Sequence, residues 1–261
     1  MSASREVRAH GSGGPGAPAL VAVAHGSRDP RSAATVAALV DEVRRARPDL
    51  DVRLSFLDLS APRLPDVLAA VAADGHERAV VVPLLLGHAF HARVDVPGEV
   101  ARAARRHPGL EIATAPVLGP DPRLEQAALD RLAAMAGPLD DPGLGVVLAG
   151  IGSSHAPANA AVARVAEGWA ARFGWSGARA AFATTSPRVP CAIAALRAGG
   201  ARRVVVAQWI LAPGLLPDRI AAEAAASGVA VAAPLGPHPA VAGLVADRHA
   251  ATRRPAARAA G

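Results

Sequence analysis

Residues able to do metal or acid–base chemistry fall where hydrophobic runs stop. His25 directly follows the apolar run ALVAVA (19–24), Asp58 follows VRLSFL (52–57), and His88, His91 and Asp95 follow AVVVPLLL (79–86), a run that ends at Gly87. Neutral imidazole ligates divalent transition metals or accepts a proton near neutral pH. A carboxylate close by can complete the metal's shell, orient a ligating imidazole or take the proton itself. His25 and His91 facing each other across a crevice would hold such a metal, with Asp58 and Asp95 as ligands, as partners of the ligands or as proton acceptors.

Each of these residues also has a plainer reading. A single histidine at a strand end is commonly a hydrogen-bonded structural residue, and His88 can point the other way along its loop. Asp95, two residues before Pro97, suits the N-cap of a helix. Gly26 and Ser27 read either as a turn glycine and a capping hydroxyl or as an anion site before a helix N-terminus. His10-Gly11-Ser12 copies the tripeptide at 25–27 but has no strand before it and no helix after it, so it reads as a decoy. His76, His107 and His249 fall at helix ends, and His155 and His238 in loops; all five read as solvated.

Short strands and amphipathic helices must position these groups. ALVAVA (19–24) reads as a buried strand, and Val36, Leu39, Val40 and Val43 form the apolar stripe of the helix after it, with Asp29 and Pro30 suited to its N-cap and first position. Strands follow at 52–57, 79–86 and 111–115. Helices open after Pro62 and Pro65, run from Pro97 to about His107, and run from about Asp121 to Met135. This alternation predicts an α/β fold with a parallel sheet and right-handed crossovers. In a flavodoxin-like strand order, 2-1-3-4, strands one and three are neighbours and a crevice opens between their carboxyl ends, bringing His25 opposite His91.

The pattern then starts again. AHGSRDPRSAATV (24–36) aligns with GIGSSHAPANAAV (150–162), SAPRLPDVLAAV (60–71) with TSPRVPCAIAAL (185–196), ERAVVVPLLL (77–86) with ARRVVVAQWI (201–210), and APVLGPDP (115–122) with APLGPHP (233–239). Four matches in the same order mean a duplication. The expected organisation is a disordered tail (1–17), a first domain carrying the site (18–136), a linker (137–143), a degenerate second repeat (144–250) and a tail (251–261), with four strands in each repeat. His25 aligns with Ile151, Asp58 with Ala183, and 87–100 with the histidine-free 211–220. The scaffold repeats while the polar groups do not, so the second repeat is expected to supply a wall of the cleft near Ser153 and Ala212 without a metal ligand.

Composition narrows the partners. With 51% hydrophobic and 19% charged residues the chain has ample apolar sequence for a core. Its single cysteine, Cys191, cannot form an internal disulfide, and the first twenty residues lack a signal peptide's apolar core, which together predict a cytoplasmic protein. No apolar run is long enough to span a membrane. All 28 basic side chains are arginine and the net charge is +6, favouring anionic ligands. Nucleic acid is disfavoured by 3% aromatic content and by the lack of a basic cluster interleaved with aromatics.

Taken together, His-Gly-Ser-Arg (25–28), Phe56-Leu57-Asp58 before Pro62, and Gly87, His91, Asp95, Val96 and Pro97 in the pattern G-x-x-x-H-x-x-x-D-V-P resemble the sirohydrochlorin chelatase family of class II tetrapyrrole chelatases. The resemblance spans about residues 18–250. It implies two tandem chelatase-like domains enclosing a cleft where Fe²⁺ or Co²⁺ enters sirohydrochlorin without ATP, in sirohaem or cobalamin biosynthesis. The metal is a substrate, and no organic cofactor is implied. The family's two functional histidines fall on His25 and His91. Glu is frequent in the family where this chain has Asp58, which sets the carboxylate one methylene further back; His88 lies outside the shared pattern. A substrate with many carboxylates makes Ser27, Arg28 and Arg93 candidate contacts, with Arg31 and Arg188 as further arginines. Both halves in one chain imply a monomer. A tetrapyrrole or metal carrier without turnover, and an anion-binding module built on the His-Gly-Ser loop, are the alternative readings.

Overall fold

The computed structural model describes residues 17–87 and 95–252. The tail expected at 1–17, apart from Ala17, and the segment holding His88, His91 and Arg93 lie outside the described residues, as does 253–261. The chain runs β1 (Ala19–Ala24), α1 (Pro30–Ala46), β2 (Val52–Phe56), α2 (Leu64–Ala73), β3 (Arg78–Pro83), α3 (Val96–Arg106), β4 (Glu111–Thr114), α4 (Pro122–Ala136), β5 (Leu144–Gly150), α5 (Ala156–Phe173), β6 (Gly177–Phe182), α6 (Val189–Ala198), β7 (Arg203–Gln208), α7 (Leu215–Ala226) and α8 (Pro239–Thr252). α8 continues two residues into the stretch expected as tail.

The most apolar runs become the central strands β1, β3 and β5 because they can be covered on both faces. Along β1, Leu20, Ala22 and Ala24 face one core while Ala19, Val21 and Val23 face another; along β5, Leu144, Val146 and Leu148 share the first of these cores while Val147 and Ala149 face a third. The first sheet has the order β2-β1-β3-β4 and the second β6-β5-β7, with every pairing parallel. The core common to both sheets is filled from α1, α4, α5 and α8, including Leu39, Leu124, Trp169 and Leu244. Burying a side chain such as Leu39 or Leu124 contributes about 1.5–3 kcal/mol each.

The repeats exchange their last helices. α8, at the end of the second repeat, packs on β3 and α1 of the first, and α4 packs on β7 of the second. Polar contacts follow the same seam. The Trp169 indole N–H on α5 donates to Glu125 on α4 at 2.8 Å, and Arg248 on α8 donates to the carbonyls of Val117 and Leu118. His249, expected to be solvated, is fully buried there, its Nε2 2.9 Å from the Pro18 carbonyl oxygen. It lies on the same helical stripe as Val241, Leu244 and Val245.

Two expectations about the second repeat need correction. Its sheet has three strands, and where a fourth was expected only Val206 bridges Val231. The Ala232 N–H donates to the Val206 carbonyl at 2.8 Å. Donors on that side recur every second residue, and the next position is Pro234, which has no N–H to extend the ladder. The alignment also slips by one residue in two places. Asp58 N–H donates to His25 O, and in the second repeat Thr184 N–H donates to Ile151 O, so Asp58 corresponds to Thr184 and not to Ala183. Leu84 N–H donates to Val23 O as Trp209 N–H donates to Ala149 O, which matches Leu84 to Trp209. The β2–α2 loop holds one more residue before its proline than the β6–α6 loop does, which a gapless comparison misses.

Candidate functional site at the carboxyl edges of the sheets

The loop after β1 carries His25 and is held from several directions. Gly26 has φ +94°, and a Cβ there would lie 1.7 Å from the Asp58 carbonyl oxygen, so glycine is required both by conformation and by the close approach of the β2–α2 loop. The Ser60 hydroxyl accepts from the Ser27 N–H at 3.1 Å and donates to the Ser27 carbonyl at 3.0 Å. The Ser27 hydroxyl accepts from Asp29 N–H, and Asp29 caps α1 by accepting from Arg31 N–H at 2.9 Å, as its sequence position predicts. Ser27 thus has a structural task as turn and brace, whatever else it contacts.

These bonds fix Asp58 beside His25. Its backbone N–H donates to the His25 carbonyl at 2.9 Å, and its exposed carboxylate pairs with Arg63 at 3.1 Å. Asp95 occupies the N-cap position of α3, yet its side chain caps no helix amide; the neighbouring Val96 is fully buried and anchors the helix start. The observed strand order places β1 beside β3, as expected from the sequence, so His25 and the chain that leaves β3 toward His91 start from adjacent strand ends. Among the described residues, no three His, Cys, Asp or Glu side chains gather at one point.

The expected arginines divide. Arg28 is exposed, and no carboxylate among the described residues pairs with it. Arg31 bridges Asp29 and Asp218, each at 2.5 Å, and these carboxylates raise its pKa and lock it as a cation. In return the Arg31 guanidinium, followed by its backbone N–H, holds Asp29 below the ordinary carboxylate range. Arg188 is paired with Glu223.

A cleft of about 450 Å³ opens beyond the carboxyl ends of β3, β5, β6 and β7. Its first-repeat wall is Leu84–Gly87 with Gly119 and Pro120; the opposite wall includes Ile151, Val162, Phe182, Trp209 and Ile210. His25 stands one strand over from the first wall, the Leu84 N–H being bonded to Val23 O at 2.8 Å. Ser153 lines the cleft as expected; in the other expected loop the lining residue is Leu211 rather than Ala212. His155, expected to be solvated, lines it too. The sequence held the signal: in the alignment His155 falls on Asp29, so a good capping residue has been exchanged for a poor one at the edge of the cleft.

The comparisons with known proteins point the same way. The family model described as CbiX matches residues 19–135 and again 145–252. A sirohydrochlorin ferrochelatase of Bacillus subtilis (strain 168) is 34% identical over 137 residues, covering 52% of this chain and 51% of that protein. A sirohydrochlorin cobaltochelatase of Methanothermobacter thermautotrophicus is 29% identical over 128 residues, covering 43% of this chain and 89% of that one. In these sequence matches the chain spans about half the length of the Bacillus relative. Among solved structures, the sirohydrochlorin chelatase SirB from Bacillus subtilis subspecies spizizenii in complex with cobalt superposes with a TM-score of 0.74 at 26% identity, over 90% of this chain and 95% of that one. SirB from Bacillus subtilis with Fe³⁺ gives 0.77 at 25% identity, over 90% and 95%. With the same model matching once over each sheet and the cleft lying between the two, the chain belongs to the CbiX family.

Proposed function

We propose that the chain is a chelatase that inserts a divalent metal, Fe²⁺ or Co²⁺, into sirohydrochlorin without ATP. The observation that carries this reading is the apolar cleft between the two sheets, with His25 at the neighbouring strand end. Its walls of leucine, isoleucine, tryptophan and phenylalanine suit a flat conjugated ring, and its volume lies in the range of small-molecule sites. Membership of the CbiX family and the names of the ferrochelatase and cobaltochelatase relatives support the same reaction.

Metallation replaces two pyrrole N–H protons with one M²⁺, so the site must present exchangeable ligands and accept two protons. His25 and His91 are the proposed metal-holding groups. Neutral imidazole binds the ion without the permanence of a thiolate and can release it to the ring nitrogens. Asp58, fixed beside His25 by its own backbone, and Asp95 and His88 at the ends of the neighbouring segment are the candidates to complete the shell or carry protons away. Ser27, Arg28 and Arg93 are the proposed contacts for the macrocycle's carboxylates; Arg31 and Arg188 are already committed to protein carboxylates. The division into working units at 137–143, with the site in the first repeat, belongs to the same proposal, as do a monomeric state and a cytoplasmic location. No helix among the described residues is long and apolar enough to cross a membrane.

The test is an anaerobic assay that follows the absorbance of sirohydrochlorin with Fe²⁺, Co²⁺ and Ni²⁺ in turn. Catalytic conversion to a metallated product is expected with Fe²⁺ or Co²⁺. Stoichiometric binding with no metallated product would replace the chelatase with a carrier.

A further inference from the structure

We propose that His155 is the second repeat's own substrate contact, an imidazole at the rim of the cleft that hydrogen-bonds a peripheral carboxylate of the bound tetrapyrrole. The proposal rests on the chelatase reading and assigns a polar role to the repeat whose sequence has lost the first repeat's histidine. Three observations carry it. Among the described residues lining the cleft, His155 is the single titratable side chain. Asn159 and Ser153 serve the backbone: the Asn159 carboxamide accepts from Ser153 N–H at 2.9 Å and donates to Ser153 O at 2.8 Å, while the Ser153 hydroxyl accepts from His155 N–H at 3.0 Å. The corresponding residue of the first repeat, Asp29, turns its carboxylate onto its own helix and Arg31, whereas His155 occupies the N-cap of α5 without a side-chain capping bond.

Position decides which part of the substrate the imidazole meets. His155 is half-buried, and its neighbours Ser154, Ala156 and Pro157 are exposed, so it stands at the mouth of the cleft. A macrocycle whose apolar core lies against Leu84–Leu86, Phe182 and Trp209 keeps its central nitrogens inside and turns its acidic side arms toward the mouth. An imidazole N–H there meets a carboxylate rather than a pyrrole. An aspartate at the same place, as in the first repeat, would repel it.

The experiment compares the full chain with His155→Ala, His155→Gln and His155→Asp, using equilibrium binding of metal-free sirohydrochlorin and steady-state metallation. Loss of one hydrogen bond to a charged group is expected to raise the Kd of the macrocycle roughly tenfold in His155→Ala, and further in His155→Asp. His155→Gln, which keeps an N–H donor, should stay within about threefold of the parent. The kcat at saturating macrocycle and the KM for metal should both hold within about twofold. A fully esterified macrocycle should bind the parent and His155→Ala alike. Equal binding of sirohydrochlorin by the parent and His155→Ala, or a fall in kcat at unchanged KM, would overturn the assignment of His155 and leave the chelatase reading intact. Failure of the parent to bind sirohydrochlorin at all would remove that reading, and this one with it.

Discussion

In the loop after β1, the amide and carbonyl of Ser27 are both met by the hydroxyl of Ser60, which comes from the loop after β2. In the loop after β5, the same two groups of Ser153 are met by the carboxamide of Asn159, from the helix that the loop itself opens. The backbones correspond: Gly26 and Gly152 have φ of +94° and +91°, and each serine hydroxyl accepts from the N–H two residues on. The difference lies in what each loop is braced against. Ser60 ties the loop after β1 to the loop after β2, alongside the bond from the Asp58 N–H to the His25 carbonyl. Asn159 braces the second loop from its own helix, while Thr184 of the loop after β6 donates to the Ile151 carbonyl through both its N–H and its hydroxyl. In the proposed function the first repeat holds the reactive groups and the second forms the opposite wall of the cleft.

Substitutions can break this comparison in graded ways. The largest effect is expected for His91→Ala, which should lower metallation about 100-fold or more while leaving macrocycle binding in place, read by single-turnover and equilibrium titration. Next come the paired glycines. A Cβ at Gly26 meets the Asp58 backbone oxygen at 1.7 Å, whereas at Gly152 it meets the side-chain oxygens of Thr184 and Thr185 at 2.9 and 2.8 Å and Phe182 Cβ at 3.0 Å. Gly26→Ala should cost about 3 kcal/mol or more, and Gly152→Ala roughly 1–2 kcal/mol, in denaturant unfolding. Ser60→Ala and Asn159→Ala should each cost about 1–2 kcal/mol by leaving two backbone groups of their loop unmet. The pair should split kinetically, Ser60→Ala lowering kcat and Asn159→Ala raising KM for the macrocycle; the same kinetic defect in both would erase the distinction between the loops. The smallest effect is expected for Arg31→Met, which removes the exposed bridge between α1 and α7. It should shift the melting temperature only at low salt, since exposed ion pairs are screened.

Much of this was legible in the sequence because it is local. Asp29 and Asp121 before prolines mark real N-caps, each accepting from the N–H two residues on. The stripe Val36, Leu39, Val40 and Val43 is the buried face of α1, and the runs that open at Ala19 and Ala79 supply the two central strands of the first sheet. What was illegible depends on distance or on single-residue insertions. Nothing in the spacing of α4 or α8 says that each will lie on the other repeat's sheet, since that is decided by which apolar face is left uncovered. The slip that pairs Asp58 with Thr184 comes from one extra loop residue, which changes no hydrophobic pattern. Pro234 could have been read as a strand breaker, and His249 as part of the apolar stripe of its helix; both signals were present in the chain.

The division of labour between the repeats is tested most directly by giving the first loop the residue of the second. His25→Ile copies Ile151, keeps the Gly26 turn and the backbone bond from Asp58, and removes the imidazole. Metal-free sirohydrochlorin binding and single-turnover metallation at saturating Fe²⁺ and Co²⁺ should be measured on the same preparation. The expected result is macrocycle affinity within about threefold of the parent with metallation lowered about 100-fold or more. Metallation by His25→Ile at the parental rate with both metals would contradict the assignment of the chemistry to the first repeat.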